Sequence, residues 1–110
     1  MFRKEINPFS VSDKVTFRNV DKTMTLTVRS DAGMLVLGLK RVNEKLSGIT
    51  DDSPEDERKE AARFFADTLF GKEQGEKLFD FYGDPVAVIT ACGMYFRERL
   101  SKKITKAQKK

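Results

Sequence analysis

Between Lys14 and Arg29 apolar and polar residues alternate in two runs, and from Asp31 onward the apolar ones fall every three or four. Val15 and Phe17 alternate with Thr16 and Arg18, then Met24, Leu26 and Val28 alternate with Thr25, Thr27 and Arg29. A period of two puts one set of side chains on one face of a sheet, which predicts two strands. The link Asn19-Val20-Asp21-Lys22 has turn-forming Asn and Asp, so the pair closes as a hairpin over 14–29. A lone hairpin is marginal in water, so its apolar face must pack on helices or on another chain. Residues 1–12, with Asn7-Pro8 and Ser10-Val11-Ser12, hold no sustained period and read as an arm.

After Asp31 the helical signals come in four blocks. Leu35, Leu39, Val42 and Leu46 line one face of a helix over 31–47, with Asp31 as N-cap and Gly48 as a left-handed C-terminal cap. Ser53 as N-cap, Pro54 at the first helical position and Glu55, Asp56 and Glu57 in the first turn open a second helix over 54–70. Its apolar face is Ala61, Ala62, Phe64, Phe65, Leu69 and Phe70, and Gly71 stops it. A short third helix over 73–82 crowds Leu78, Phe79, Phe81 and Tyr82 into its last turns before Gly83. Asp84-Pro85 starts the longest helix, over 85–106, on the stripe Ile89, Cys92 or Gly93, Phe96, Leu100 and Ile104. At 110 residues there is no room for a second core. The expected fold is therefore one α+β domain, predominantly α, with an N-terminal β-hairpin, about four helices and a basic tail at 107–110.

The chain has no histidine and one cysteine, Cys92. The usual general base, the partner of a Ser or Cys nucleophile and the mixed Cys/His zinc sites are thereby missing, so the expectation is a protein that is not an enzyme and takes no cofactor or metal. Gly71-Lys72-Glu73 does not make a phosphate loop, because position 66 is Ala and position 73 is Glu where that motif needs Gly and Ser or Thr. Asp51, Asp52, Glu55, Asp56 and Glu57 lack the central glycine of a calcium loop and are better explained as acids at a helix start. Cys92 lies in an apolar stripe and reads as a small buried hydrophobe. A single cysteine forms no internal disulfide, and no apolar run approaches a membrane span of about eighteen residues, so a cytoplasmic protein is expected.

Two constellations remain. The segment from Arg97 to Lys110 holds seven basic residues against Glu98 alone, a net of +6 in a chain whose total is +4. Arg99, Lys102, Lys103 and Lys106 share one side of the helix that carries them, opposite Phe96, Leu100 and Ile104. Such a helix binds phosphate backbones or acidic partners, or is simply a solvated end whose cations complement the helix dipole. The second constellation is aromatic: Phe64, Phe65, Phe70, Phe79, Phe81, Tyr82, Tyr95 and Phe96. A packed helical core is the plainest reading. A domain this small also has difficulty covering so many rings alone, which predicts a homo-oligomer with Phe81 and Tyr82 as contacts. The candidate interaction residues are thus Phe79, Phe81, Tyr82, Tyr95, Arg99, Lys102, Lys103 and Lys106.

The stretch from Phe64 to Glu73, the segment Leu78-Phe79-Asp80-Phe81-Tyr82-Gly83-Asp84 and the ending from Tyr95 to Lys110 resemble small tail proteins of long-tailed phages and prophages of Gram-positive bacteria. That group includes tail assembly chaperones and related minor tail proteins. The likeness covers roughly residues 24 to 110 and lies in packing and turn residues. It implies a mainly helical, non-enzymatic assembly factor that binds other phage tail proteins, such as the tape-measure protein, in the host bacterial cytoplasm. From another class, the alternative is a small basic nucleic-acid-binding protein that uses the Lys/Arg-rich C-terminal helix.

Overall fold

The computed structural model describes residues 9–108. Two antiparallel strands, β1 (Ser10–Asn19) and β2 (Lys22–Asp31), are followed by α1 (Ala32–Ser47), α2 (Glu55–Phe70), α3 (Lys72–Tyr82) and α4 (Pro85–Tyr95). A π-helical turn (Phe96–Leu100) joins α4 to α5 (Ser101–Gln108), so that 85–108 runs as one long helix. The α+β expectation, a hairpin and then four helical blocks, is what the chain adopts.

The arm does not extend to residue 12. Residues 1–8 of it lie outside the described residues, whereas Ser10, Val11 and Ser12 belong to β1, and Val11 is buried. Alternation persists two turns of the pleat earlier than expected, but through an acid: Val11, Asp13, Val15 and Phe17 all face inward, opposite the outward Ser12, Lys14, Thr16 and Arg18. In β2, Leu26 and Val28 face inward from the same sheet, with Met24 half-buried. The register pairs Asn19 with Lys22, leaving Val20 and Asp21 as a two-residue loop. Val20 has a φ of 59°, an outlier for a β-branched residue, and is 86% exposed.

Caps set the helix limits. The Asp31 carboxylate accepts from the backbone N–H of Gly33 at 2.8 Å and of Met34 at 3.3 Å, as expected of an N-cap. Gly48 is not left-handed: its φ is −91°, and the end of α1 closes by N–H bonds from Gly48 to Lys45 and from Ile49 to Leu46. Ser53 is not the cap of α2 either. Its hydroxyl turns back to accept from Thr50 N–H at 2.8 Å, tightening the linker, and Pro54 takes the N-cap position without a side-chain bond. Gly71 and Gly83, with φ of 86° and 68°, end α2 and α3 in conformations that a side chain resists. Asp84 then caps α4 by accepting from Val86 N–H, with Pro85 directly after it.

The core lies between the hairpin and the helices. Phe17 of β1 meets Phe70 edge-on at 5.6 Å, Tyr95 at 6.3 Å and Tyr82 at 6.4 Å, and Phe70 stacks on Tyr95 at 5.9 Å. These rings join β1 to the ends of α2 and α3 and to the long helix. Leu35, Leu78, Val88, Cys92 and Leu100 fill the space around them and are fully buried. α2 and α3 approach so closely that Gly75 lies against the Asp67 backbone, where a Cβ would come within 2.9 Å of its nitrogen.

The long helix departs from the simple stripe in one respect. Its buried residues are Pro85, Val88, Cys92, Tyr95, Leu100, Ile104 and Ala107. The step of five from Tyr95 to Leu100 would swing one of them off the face of an α-helix. The π turn absorbs the additional residue, with Ser101 N–H bonding back to Phe96 C=O. Tyr95 therefore takes the inward place, and Phe96 is left half-buried beside it.

Candidate functional site

Asp13 is the only buried charged side chain among the described residues, at 8% exposure. It points from β1 toward the long helix, where residues spaced by four converge on it. The Tyr95 hydroxyl donates to Oδ2 at 2.8 Å, Arg99 Nη2 donates to Oδ1 at 2.8 Å, and Lys103 Nζ stands 3.5 Å from Oδ1. Two hydrogen bonds and two ion pairs on one carboxylate satisfy the requirement that a buried charge be paired and hydrogen-bonded. Burial, reinforced by the hydrogen bond and the negative charge of Asp13, holds the Tyr95 phenol well above its ordinary value. Tyr95 is thus a donor and stays protonated.

Arg99, together with Tyr82 and Gln74 of α3, also covers open edges of the sheet. In an antiparallel pair, alternate residues direct their backbone groups away from the partner strand, and a two-stranded sheet has two such edges. On the β1 edge, Arg99 also donates to Lys14 C=O at 3.3 Å, and the Tyr82 hydroxyl donates to Arg18 C=O at 3.0 Å. On the β2 edge, Gln74 of α3 bonds both groups of Thr27, accepting from its N–H at 3.0 Å and donating to its C=O at 2.8 Å. At the hairpin end, Asn19 Nδ2 donates to Phe81 C=O at 3.0 Å.

Of the residues singled out in the sequence, Tyr82, Tyr95, Arg99 and Lys103 therefore fasten the hairpin to the helices. Phe79 and Phe81 are half-buried against the core, and the Phe81 ring packs edge-on to Tyr82 at 5.1 Å. Lys102 and Lys106 point outward with Arg97. Charge is segregated by this arrangement. Residues 9–31 and 96–108 hold nine basic against four acidic residues, while 32–95 hold eight against twelve.

An apolar groove that sequence reasoning missed lies elsewhere. It has a volume of about 340 Å³ and runs along α1, with Val36, Leu39, Val42 and Leu46 on one wall and Phe65 of α2 and Phe96 of the π turn on the other. Lys40 and Asn43 form its polar rim. Beside it on α1, Met34 is 66% exposed and Leu37 is exposed as well. The signal was present: Val36 and Leu37 are apolar positions outside the Leu35, Leu39, Val42, Leu46 stripe, so α1 has more apolar surface than its core contact needs.

Burial pushes the Cys92 thiol up to about 12 and leaves it fully enclosed, which is unsuited to a nucleophile. Among the described residues no three or more His, Cys, Asp or Glu side chains gather to hold a metal ion, and no helix is long and apolar enough to cross a membrane. Comparison with protein-family models, with curated proteins and with solved structures finds no match to this chain.

Proposed function

We propose that the protein is a non-enzymatic assembly factor of the phage tail-chaperone kind, which holds an amphipathic helix of another tail protein, the tape-measure protein foremost, in the groove along α1. One observation carries the reading: the groove is lined by aliphatic and aromatic side chains over nearly three turns of α1, with a single cation, Lys40, on its rim. Its volume falls at the small end of ligand pockets, about 300–1,000 Å³, and its length matches anchors at i, i+3, i+4 and i+7 of a docked helix. Carboxylates flanking those anchors would meet Lys40. The exposed Met34 and Leu37 extend the apolar surface, and methionine adapts to varied partners.

The resemblance to tail proteins supports the same reading from the other direction, since assembly factors of that kind act by binding. The nucleic-acid alternative draws on the outward Arg97, Lys102 and Lys106. Arg99 and Lys103 are drawn onto Asp13, which lowers the positive field available to a phosphate backbone. Methyl-labelled protein titrated with overlapping helical peptides of a tape-measure protein tests the assignment. Shifts confined to Val36, Leu39, Val42 and Leu46 are the expected result. Shifts confined to the basic face of 97–106, or none at all, would overturn it.

A further inference from the structure

Arg58 of α2 carries a donor that no described residue receives. Its Nε is enclosed and has no hydrogen-bond partner, although the residue as a whole is half-buried. The other two basic residues of α2 are paired, Lys59 with Glu55 at 3.6 Å and Arg63 with Asp67 at 3.2 Å. Glu55, three residues back, is the acid within helical reach of Arg58, and Lys59 already holds it. The other positions in reach are Pro54, Ala61 and Ala62, which offer no acceptor side chain. A buried donor left unmade costs more than an ordinary hydrogen bond contributes, so each such group in a folded chain calls for an explanation.

The position of Arg58 supplies one. α1 and α2 run antiparallel, since Lys45 pairs with Glu60 at 2.7 Å while a Cβ built on Gly38 would come within 2.7 Å of the Thr68 side chain. The Leu46 end of the groove is therefore level with the first turns of α2. Arg58 precedes Phe65 by seven residues, which places both on one side of α2, about 10 Å apart at roughly 1.5 Å per residue. Ala61 and Ala62 between them are buried. Arg58 thus stands just past the Leu46 end of the groove that Phe65 lines, and Lys40 sits on the rim nearly two turns of α1 away.

We infer that Arg58 is a specificity-determining residue of this groove, receiving a carboxylate that the docked helix carries three or four residues outside its apolar anchors. The inference rests on the groove reading and adds the chemistry of the partner segment. A charged acceptor fits better than a neutral one, because the guanidinium is permanently charged and no described acid pairs with it. Apolar anchors hold a helix in a groove but discriminate weakly between partners, whereas a buried donor penalises every segment that leaves it unmade.

Calorimetric titration of the full chain tests this with a synthetic helical peptide. The peptide has leucines at i, i+3, i+4 and i+7 and a Glu four residues beyond them at each end, so that one acid meets Arg58 whichever way the helix runs. A second peptide has Gln at both places. The Glu peptide should bind about tenfold or more tightly than the Gln peptide. Arg58→Met keeps the apolar stem and removes the orphan donor, so it should abolish that difference while leaving the urea midpoint unchanged or raised. In the wild type, the Arg58 Nε–H resonance should shift with the Glu peptide and not with the Gln peptide, which reads the contact without any substitution. Equal affinity of the two peptides, or a preference that persists in Arg58→Met, would overturn the inference and leave the groove reading standing. Failure of both peptides to bind would overturn the groove reading and this inference with it.

Discussion

Asp13→Ala should destabilise the protein by about 3 kcal/mol, and most of that cost should disappear when Tyr95→Phe is added. The estimate has two parts. Removing the carboxylate leaves the buried Tyr95 hydroxyl without its acceptor, which costs about 1–3 kcal/mol. It also releases Arg99 and Lys103, but their side chains are half-exposed and rehydrate, so each lost ion pair contributes only about 0.5 kcal/mol. For a domain of this size about 3 kcal/mol corresponds to a fall in Tm of roughly 12 °C. In the double variant no hydroxyl is left orphaned and only the ion-pair part of about 1 kcal/mol remains, so the coupling between the two sites should be about 2 kcal/mol or more. Urea unfolding of the wild type, both single variants and the double variant measures it directly. If Asp13→Ala lies within about 0.5 kcal/mol of wild type, or if the two changes are additive, then the cluster does not fasten the hairpin and the reasoning fails.

Three other outcomes follow from particular positions. Val20→Gly should raise stability by about 1 kcal/mol in urea unfolding, because it relieves a β-branched residue at φ 59° whose side chain packs on nothing. Gly75→Ala should lower it by about 3 kcal/mol by the same assay, since the added methyl overlaps the Asp67 carboxylate and reaches within 3.0 Å of its Cα, which cannot yield without separating α2 from α3. Stability should fall on the alkaline side. The unfolded chain ionises Cys92 from about pH 9, while the folded chain holds that proton to about pH 12, so the unfolded state is favoured by about 1.4 kcal/mol per pH unit over this range. Burial raises Tyr95 and Tyr82 too, and the slope should steepen once the ordinary phenol value of 10.0 is passed. Cys92→Ala should remove the part that begins first, as read from urea midpoints taken across the alkaline range.

The order of elements was legible because each is marked by local signals: alternation in the strands, Asp31 and Asp84 as caps, Gly71 and Gly83 as stops. What was not legible depends on residues far apart in the chain. Asp13 interrupted the apolar alternation, so the strand was read as starting after it. An inward acid is tolerable there because of Tyr95 and Arg99, 82 and 86 residues away, and of Lys103 beyond them. The π turn hid for a related reason. Periodicity favoured Phe96 as the core residue, whereas the aromatic cluster around Phe17 requires Tyr95 there, and the helix widens to supply it. Sequence reasoning picked out four of the side chains that fasten the hairpin, but as candidates for contact with a partner, because aromatic and cationic types look alike whether their partner lies in the same chain or in another. The groove along α1 went unread because its second wall comes from α2 and the π turn.

The groove assignment is tested most directly by co-expressing the full chain with a phage tape-measure protein and measuring the tape-measure protein that remains soluble and co-purifies. Val36 is exposed, so Val36→Glu should leave the fold intact while placing a charge in the apolar wall. The account predicts a soluble complex with the wild type, loss of that complex with Val36→Glu, and retention when Lys102 and Lys106 are both changed to Gln. A complex that survives Val36→Glu but is lost with the two lysines would contradict it.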